Sequence, residues 1–406
     1  MKNYINIAKR AYHNILMIPD LIAKLDDANA KIAELSRKNE ELKILLEKQN
    51  EKGEELFARI EATLKQEFNR LHDNINESRN SLWWKADDRT SAILGETALM
   101  QKFAEIRFWQ QYRMAEESDT ESRVRFFSSL PKATGGLRLL QRGNALLLKK
   151  LSEICDKNGF PYWLQSGTLL GAVRHKGFVP WDDDTDCAMF RSDIEKLREL
   201  LKDDSHFQIT LIYDWWAKSR QIRFRPRDLT IPCFVDIYIY DFCGEGSDSY
   251  WEKQKRKREE IVRTIENDTS EAVTFWREHP YIDDKAEQAP YLEALFKKLT
   301  ECDANEFEQA ESERKAPAVC WGLDNFSVGW KRLFDWDFLF PTVLLEYEGE
   351  KYNAPHEFMA YVERQYGDIW ELPHDLISHF HHVSHEELKT AAMREKLRAF
   401  IESNDR

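Results

Sequence analysis

The chain has 406 residues, 42% of them hydrophobic, which is enough for two or three structural units and a sizeable core. Its formal net charge of −13 excludes gripping nucleic acid through a broad basic surface, because that mode works by neutralising many phosphates. An anionic substrate would need a few placed arginines or a metal ion. The six cysteines, at 155, 187, 233, 243, 302 and 320, form no C-x-x-C pair and indicate no disulfide framework. Only a weak zinc spacing links Cys233, Cys243, Cys302 and Cys320.

Residues 1–20 alternate apolar Ile5, Ala8, Tyr12 and Ile15 with Lys2, Lys9 and Arg10, the pattern of a basic amphipathic helix. Such a helix suits peripheral membrane contact or packing within an oligomer. It is too polar for a signal peptide, and no stretch reaches the roughly 20 apolar residues of a membrane span, so a cytoplasmic protein, at most at the inner face of the cell membrane, is expected.

From Leu21 the sequence falls into heptads, with Leu25, Ile32, Asn39 and Leu46 in one core position and Leu21, Ala28, Leu35 and Leu42 in the other. The pattern weakens at Gly53 and resumes in four-residue steps through Leu56, Ile60, Leu64, Phe68, Leu71 and Ile75. Residues 21–77 are therefore expected to be an oligomerising coiled-coil stalk. Asn39 favours a parallel dimer, with a trimer as the alternative.

Residues 78–136 read as a helical connector containing Trp83, Trp84, Trp109, Phe126 and Phe127. A catalytic domain would then fill 137–406. It opens with a helix from Leu137 to Asn158 closed by Gly159, followed by a short strand through Trp163 and a helix-like segment Leu169–Val173. A helix over 193–201 and strands near 206–213, 221–225 and 232–240 follow. A charged helical insertion is expected at about 245–316, then strands over Trp336–Tyr352 and a helix ending at Gly367. The fold class is α+β, a mixed sheet flanked by helices, preceded by the stalk.

The chemistry concentrates between Tyr162 and Phe190. In Trp181-Asp182-Asp183-Asp184-Thr185-Asp186, a strand entered at about Asp184 would put Asp184 and Asp186 on one face. Carboxylates that close repel unless a cation sits between them, and oxygen ligands suit Mg²⁺ or Mn²⁺. Asp236, inside the apolar run Phe234–Tyr238, completes a metal set of Asp184, Asp186 and Asp236, with Asp241 as fallback. Upstream, Ser166-Gly167-Thr168 offers a phosphate the unpaired N–H groups of a helix start, and Gln165 precedes it. Arg174, His175 and Lys176 on the next turn, and Arg223 on a strand, can neutralise phosphate oxygens.

At these residues the chain resembles the LicD family, which includes fukutin and fukutin-related protein, of the nucleotidyltransferase-fold superfamily. The resemblance rests on Gln165–His175, Gly177–Asp186, Val235-Asp236-Ile237 and a later echo in Tyr347-Glu348-Gly349, Ala354-Pro355, Tyr366-Gly367-Asp368 and Leu372-Pro373. It implies a nucleotidyltransferase-fold domain that transfers a phospho-alcohol, such as phosphocholine, from a CDP-activated donor to a cell-surface glycan with a divalent metal. On it, Asp184 and Asp186 match the metal pair and Asp236 the third carboxylate. The base for the acceptor hydroxyl is expected to be Asp236 or Asp182, since such a base must be a carboxylate within hydrogen-bond reach. The alternatives are a nucleotidyltransferase moving NMP to a small molecule and a non-catalytic coiled-coil assembly factor.

Overall fold

The computed structural model describes residues 23–24, 26–41, 59, 61–67, 69–70, 95–300, 316–326, 329–372 and 382–404. The amphipathic segment 1–20, the heptad residues Leu21, Leu25, Leu42, Leu46, Leu56, Ile60, Phe68, Leu71 and Ile75, the pair Trp83 and Trp84, and Cys302 lie outside them. The chain divides into two compact units, Met1–Ile106 and Arg107–Arg406.

In the first unit residues 26–41 are helical, with i,i+4 ion pairs Lys31–Asp27, Lys38–Glu34 and Arg37–Glu41 on a solvated exterior. Each such pair adds a few tenths of a kcal/mol to a helix. Leu35, a heptad core residue, is 42% exposed.

The second unit is built on a mixed eight-stranded sheet flanked by helices. Helix α1 (Asp119–Ser129) starts at a capping box in which Ser118 and Glu121 bond each other's backbone N–H. Helix α2 (Gly135–Asn158) buries Leu140, Leu147 and Leu151 and ends at Gly159, as its pattern predicts. Next come β1 (Tyr162–Leu164), α3 (Ser166–His175), β2 (Asp186–Phe190), α4 (Arg191–Leu200), β3 (Phe207–Asp214), β4 (Ser219–Pro226) and β5 (Val235–Cys243).

Strand β5 is the hub. One edge pairs in parallel with β2, which is buried along its whole length. Its other edge pairs first with β4 through Val235–Ile237 and then with β7 (Ala318–Trp321) through Tyr240–Cys243. All other neighbours in the sheet are antiparallel.

Three expectations change. Strand β2 begins at Asp186 and not at Asp184, because the preceding carbonyls are taken by side chains of α2: Gln141 Nε2 donates to Asp182 O at 2.9 Å and Asn144 Nδ2 to Asp183 O at 2.8 Å. The charged segment holds three helices, α5 (Asp248–Asn267), α6 (Glu271–Glu278) and α7 (Ala289–Thr300), but also β6 (Tyr281–Asp283), which extends the sheet beyond β3. After β8 (Leu333–Asp335), the run expected as strand opens with one helical turn, α8 (Trp336–Leu339). Pro341 cannot donate to a ladder, and the hairpin of β9 (Val343–Tyr347) and β10 (Glu350–Ala354) starts beyond it. Its two-residue turn, Glu348-Gly349, takes positive φ at both positions, the geometry that joins right-twisted strands. Helix α9 (Phe358–Tyr366) stops at Gly367, and α10 (His385–Lys389) and α11 (Ala391–Asn404) finish the unit. Among the described residues no helix is long and apolar enough to cross a membrane.

Candidate active site

The sheet register creates the site. Asp186, first in β2, lies directly opposite Asp236 in the parallel pair with β5, and Arg223 of β4 lies opposite Asp236 on the other edge. Arg223 Nε donates to Asp236 Oδ1 at 2.8 Å. The start of β2 is locked to the start of α3 from both directions: Asp186 N–H donates to Thr168 Oγ1 at 2.7 Å, and the Asp186 carboxylate accepts the Gly167 N–H. A side chain at Gly167 would place its Cβ 2.6 Å from Asp182 Oδ2, so glycine is what lets that carboxylate close on the helix.

Asn144 fixes the acidic loop to the sheet. While donating to Asp183 O, it accepts the Phe234 N–H at 3.1 Å, and Asp236 N–H donates to Thr185 O at 2.8 Å. The C-terminal segment closes over this loop. Asp183 Oδ2 accepts the N–H groups of His382 and Val383, and His382 Nε2 lies 3.0 Å from Asp184 Oδ2.

Electrostatics in this cluster are strained. Burial, followed by the charges of Asp184, Asp236 and Asp182, pushes the Asp186 carboxyl well above its ordinary range. Burial also raises Asp236, against the pull of Arg223. On His382 burial disfavours the charge, but the hydrogen bond and charge of Asp184 outweigh it and hold the imidazole above its usual value. Such a set needs a proton or a cation among its members. Asp184, Asp236 and His382 bring one ligand atom each within 4.8 Å of one another, as do Asp182, Asp183 and Asp184, so the donor set fits a divalent cation.

Two cavities meet here. The larger, about 800 Å³, is lined by Asp236, His382, Trp321, Phe326 and Arg258; the smaller, about 550 Å³, by Ser166, Gly167, Asp182, Asp186, Arg332 and Tyr366. Asp184 and Tyr238 line both.

The remaining residues singled out by sequence fall in different places. Ser166, held at positive φ, and Gly167 border the smaller cavity, with Thr168 bonded to β2 behind them. Gln165 is fully buried, its amide bonded to the hydroxyls of Tyr240 and Tyr361. It supports the strand and does not reach the cavity. Helix α3 continues through the expected basic turn. Arg174 is consequently buried against Phe127, with Nη1 on Ile369 O at 3.0 Å, and burial lowers its pKa to about 10. Arg174 still lines the smaller cavity. His175 accepts from Arg174 Nε at Nε2, so its Nδ1 carries the proton and donates to Phe127 O; burial and the Arg174 charge hold its pKa down at about 4. Lys176 caps the helix in the left-handed conformation, exposed, 3.8 Å from Glu346. Asp241, the fallback ligand, is bound by Arg191 at 2.7 Å through both oxygens. The described cysteines of the zinc spacing, Cys233, Cys243 and Cys320, are buried and belong to no metal-ligand group among the described residues.

His382 and Arg332 are the site residues that sequence reasoning misses. His382 sits in a run of His and Phe residues with no spacing signal, and Arg332 carries none beyond its tryptophan neighbours.

Residues 159–267 match the family model for the LicD/FKTN/FKRP nucleotidyltransferase domain. The chain is similar to the lipopolysaccharide cholinephosphotransferase LicD of Haemophilus influenzae, 23% identical over 264 residues, covering 58% of this chain and 92% of that protein. An uncharacterised protein of Rickettsia typhi is 46% identical over 107 residues, 25% of this chain and 35% of its own length. The ribitol 5-phosphate transferase FKRP of Mus musculus is 38% identical over 47 residues, 12% of this chain and 10% of that one.

Proposed function

We propose that this chain, a transferase of the LicD family, moves a phospho-alcohol group such as phosphocholine from a CDP-activated donor to a hydroxyl of a cell-surface glycan. The observation that carries the reading is the carboxylate cluster standing where two cavities meet, with Asp184 and Tyr238 on both walls. The likeness to a lipopolysaccharide cholinephosphotransferase along 92% of that protein supports the substrate class.

On this reading the donor diphosphate enters the smaller cavity, beside Ser166 at the start of α3. The acceptor hydroxyl comes through the larger one. Its oxygen attacks the phosphorus that carries the alcohol, the bond from that phosphorus to the bridging oxygen breaks, and CMP leaves with the bond's electrons. Asp236 lines the acceptor cavity and Asp182 the donor cavity, so Asp236 is the base we assign to the hydroxyl proton. Asp184, Asp236 and His382 would hold Mg²⁺ or Mn²⁺, which would supply charge neutralisation at the phosphate; Asp186, expected in the set, is in neither group of ligand atoms that lie together.

The heptads over 21–77 make a homo-oligomer, a dimer in first place, part of the proposal. The segment 1–20 would give peripheral contact with the inner face of the membrane, and the nucleotide donor places the work in the cytoplasm. Incubation with CDP-choline, CDP-ethanolamine, CDP-glycerol or CDP-ribitol, a glycan acceptor and magnesium tests the function. CMP release coupled to acceptor labelling is expected. Light scattering on the full chain and on a variant lacking 1–77 tests the assembly, with a fall in mass per particle to one chain expected on deletion.

A further inference from the structure

Arg332 is 7% exposed, yet its Nε and Nη1 have no hydrogen-bond partner among the described residues. Its guanidinium carbon stacks 3.4 Å from the ring centroid of Trp321, 4.6 Å from that of Trp330 and 5.6 Å from that of Tyr238. The main chain fixes it there, since Arg332 O accepts the Trp321 N–H at 3.0 Å. Aromatic faces offset part of the cost of burying a cation, but they leave its N–H groups unmet. A buried guanidinium with idle donors is an expensive feature for a fold to keep unless a ligand completes it. Arg332 also borders the smaller cavity, which holds the Ser166-Gly167 helix start. Of the two arginines on that wall, Arg174 already spends its Nε on His175 and its Nη1 on Ile369 O.

We propose that Arg332 is the residue that clamps the diphosphate of the nucleotide donor, its guanidinium meeting phosphate oxygens in the smaller cavity. This rests on the phospho-alcohol transfer reading for the nucleotide, while the oxyanion chemistry stands on Arg332 itself. Asp182, Asp184 and Asp186 share the cavity and repel an anion, so binding through Arg332 is stronger when a divalent cation offsets them.

Titration calorimetry on the full chain, with and without magnesium chloride, tests this with CDP and with inorganic pyrophosphate. Arg332→Met is expected to weaken both at least about 10-fold, because charge-assisted bidentate contacts are lost. Its ligand-free Tm is expected to equal or exceed that of the wild type, because Met among aromatics replaces an unmet cation. Unchanged affinity in Arg332→Met, or a lowered Tm with unchanged affinity, overturns the proposal. Arg332→Lys keeps the charge without the guanidinium and is expected to bind several-fold more weakly than wild type; wild-type affinity there also overturns it. Farnesyl diphosphate binding more tightly than CDP would overturn the nucleotide assignment in favour of a lipid diphosphate. Pyrophosphate binding lost in Arg332→Met, with no CMP release from any CDP-alcohol by the wild type, would uphold the anion site and remove the transfer reading. CMP release equal in wild type and Arg332→Met would do the reverse.

Discussion

Asp183 Oδ2 accepts the backbone N–H of His382 at 2.7 Å, while the His382 ring reaches the neighbouring Asp184 at 3.0 Å. Two consecutive aspartates therefore hold one histidine by its main chain and its side chain. Asp183→Ala would orphan the N–H groups of His382 and Val383, costing about 1–3 kcal/mol in denaturant unfolding. Turnover should fall about 10–100-fold, as it does when a supporting contact to a metal site is lost. His382→Ala should lower turnover by a similar factor with a smaller loss of stability. Equal turnover in wild type and both variants would show that the C-terminal segment is a cover and not part of the site.

Asn144 offers a second test of how the loop is held. It donates to Asp183 O and accepts from Phe234 N–H in a buried position. Asn144→Ala leaves both main-chain groups without a partner and should cost about 2–4 kcal/mol by urea denaturation. A loss within experimental error of zero would mean that water or a shift of β5 replaces the amide.

Much of this site is legible from residue types and spacing. Ser166-Gly167 and the aspartate cluster stand out because carboxylates beside an apolar run are costly without a purpose, and Asp236 stands out within its strand for the same reason. Spacing does not reveal the register that sets Asp186 against Asp236, or the α2 amides that keep Asp184 off the strand. Arg174 and His175 read as a basic turn placed to neutralise phosphate because nothing local marks how far α3 continues. Once helical, both are carried beneath Phe127. His382 joins through tertiary contact alone.

The buried His175 gives a pH signature. Its folded pKa is about 4, below the ordinary histidine value of about 6.5, so between these values the unfolded chain binds the extra proton. Its contribution is therefore complete above about pH 6.5 and is lost progressively as the pH falls towards 4. After allowance for its partial exposure, the difference should be about 1–2 kcal/mol. Denaturation midpoints of wild type and His175→Gln compared at pH 7 and pH 4.5 measure it. The wild type should lose more than the variant, and parallel losses would contradict the burial argument.

The most direct test of the central claim is product analysis with CDP-choline, a glycan acceptor and magnesium, run on wild type, Asp184→Asn and Asp236→Asn. CMP and phosphocholine-labelled acceptor are expected from the wild type. Both variants should remain folded and lose at least about 100-fold in rate, with the wild-type signal also lost on chelation. Pyrophosphate as the product from a nucleoside triphosphate, or CMP release undiminished in Asp184→Asn and Asp236→Asn, would contradict it.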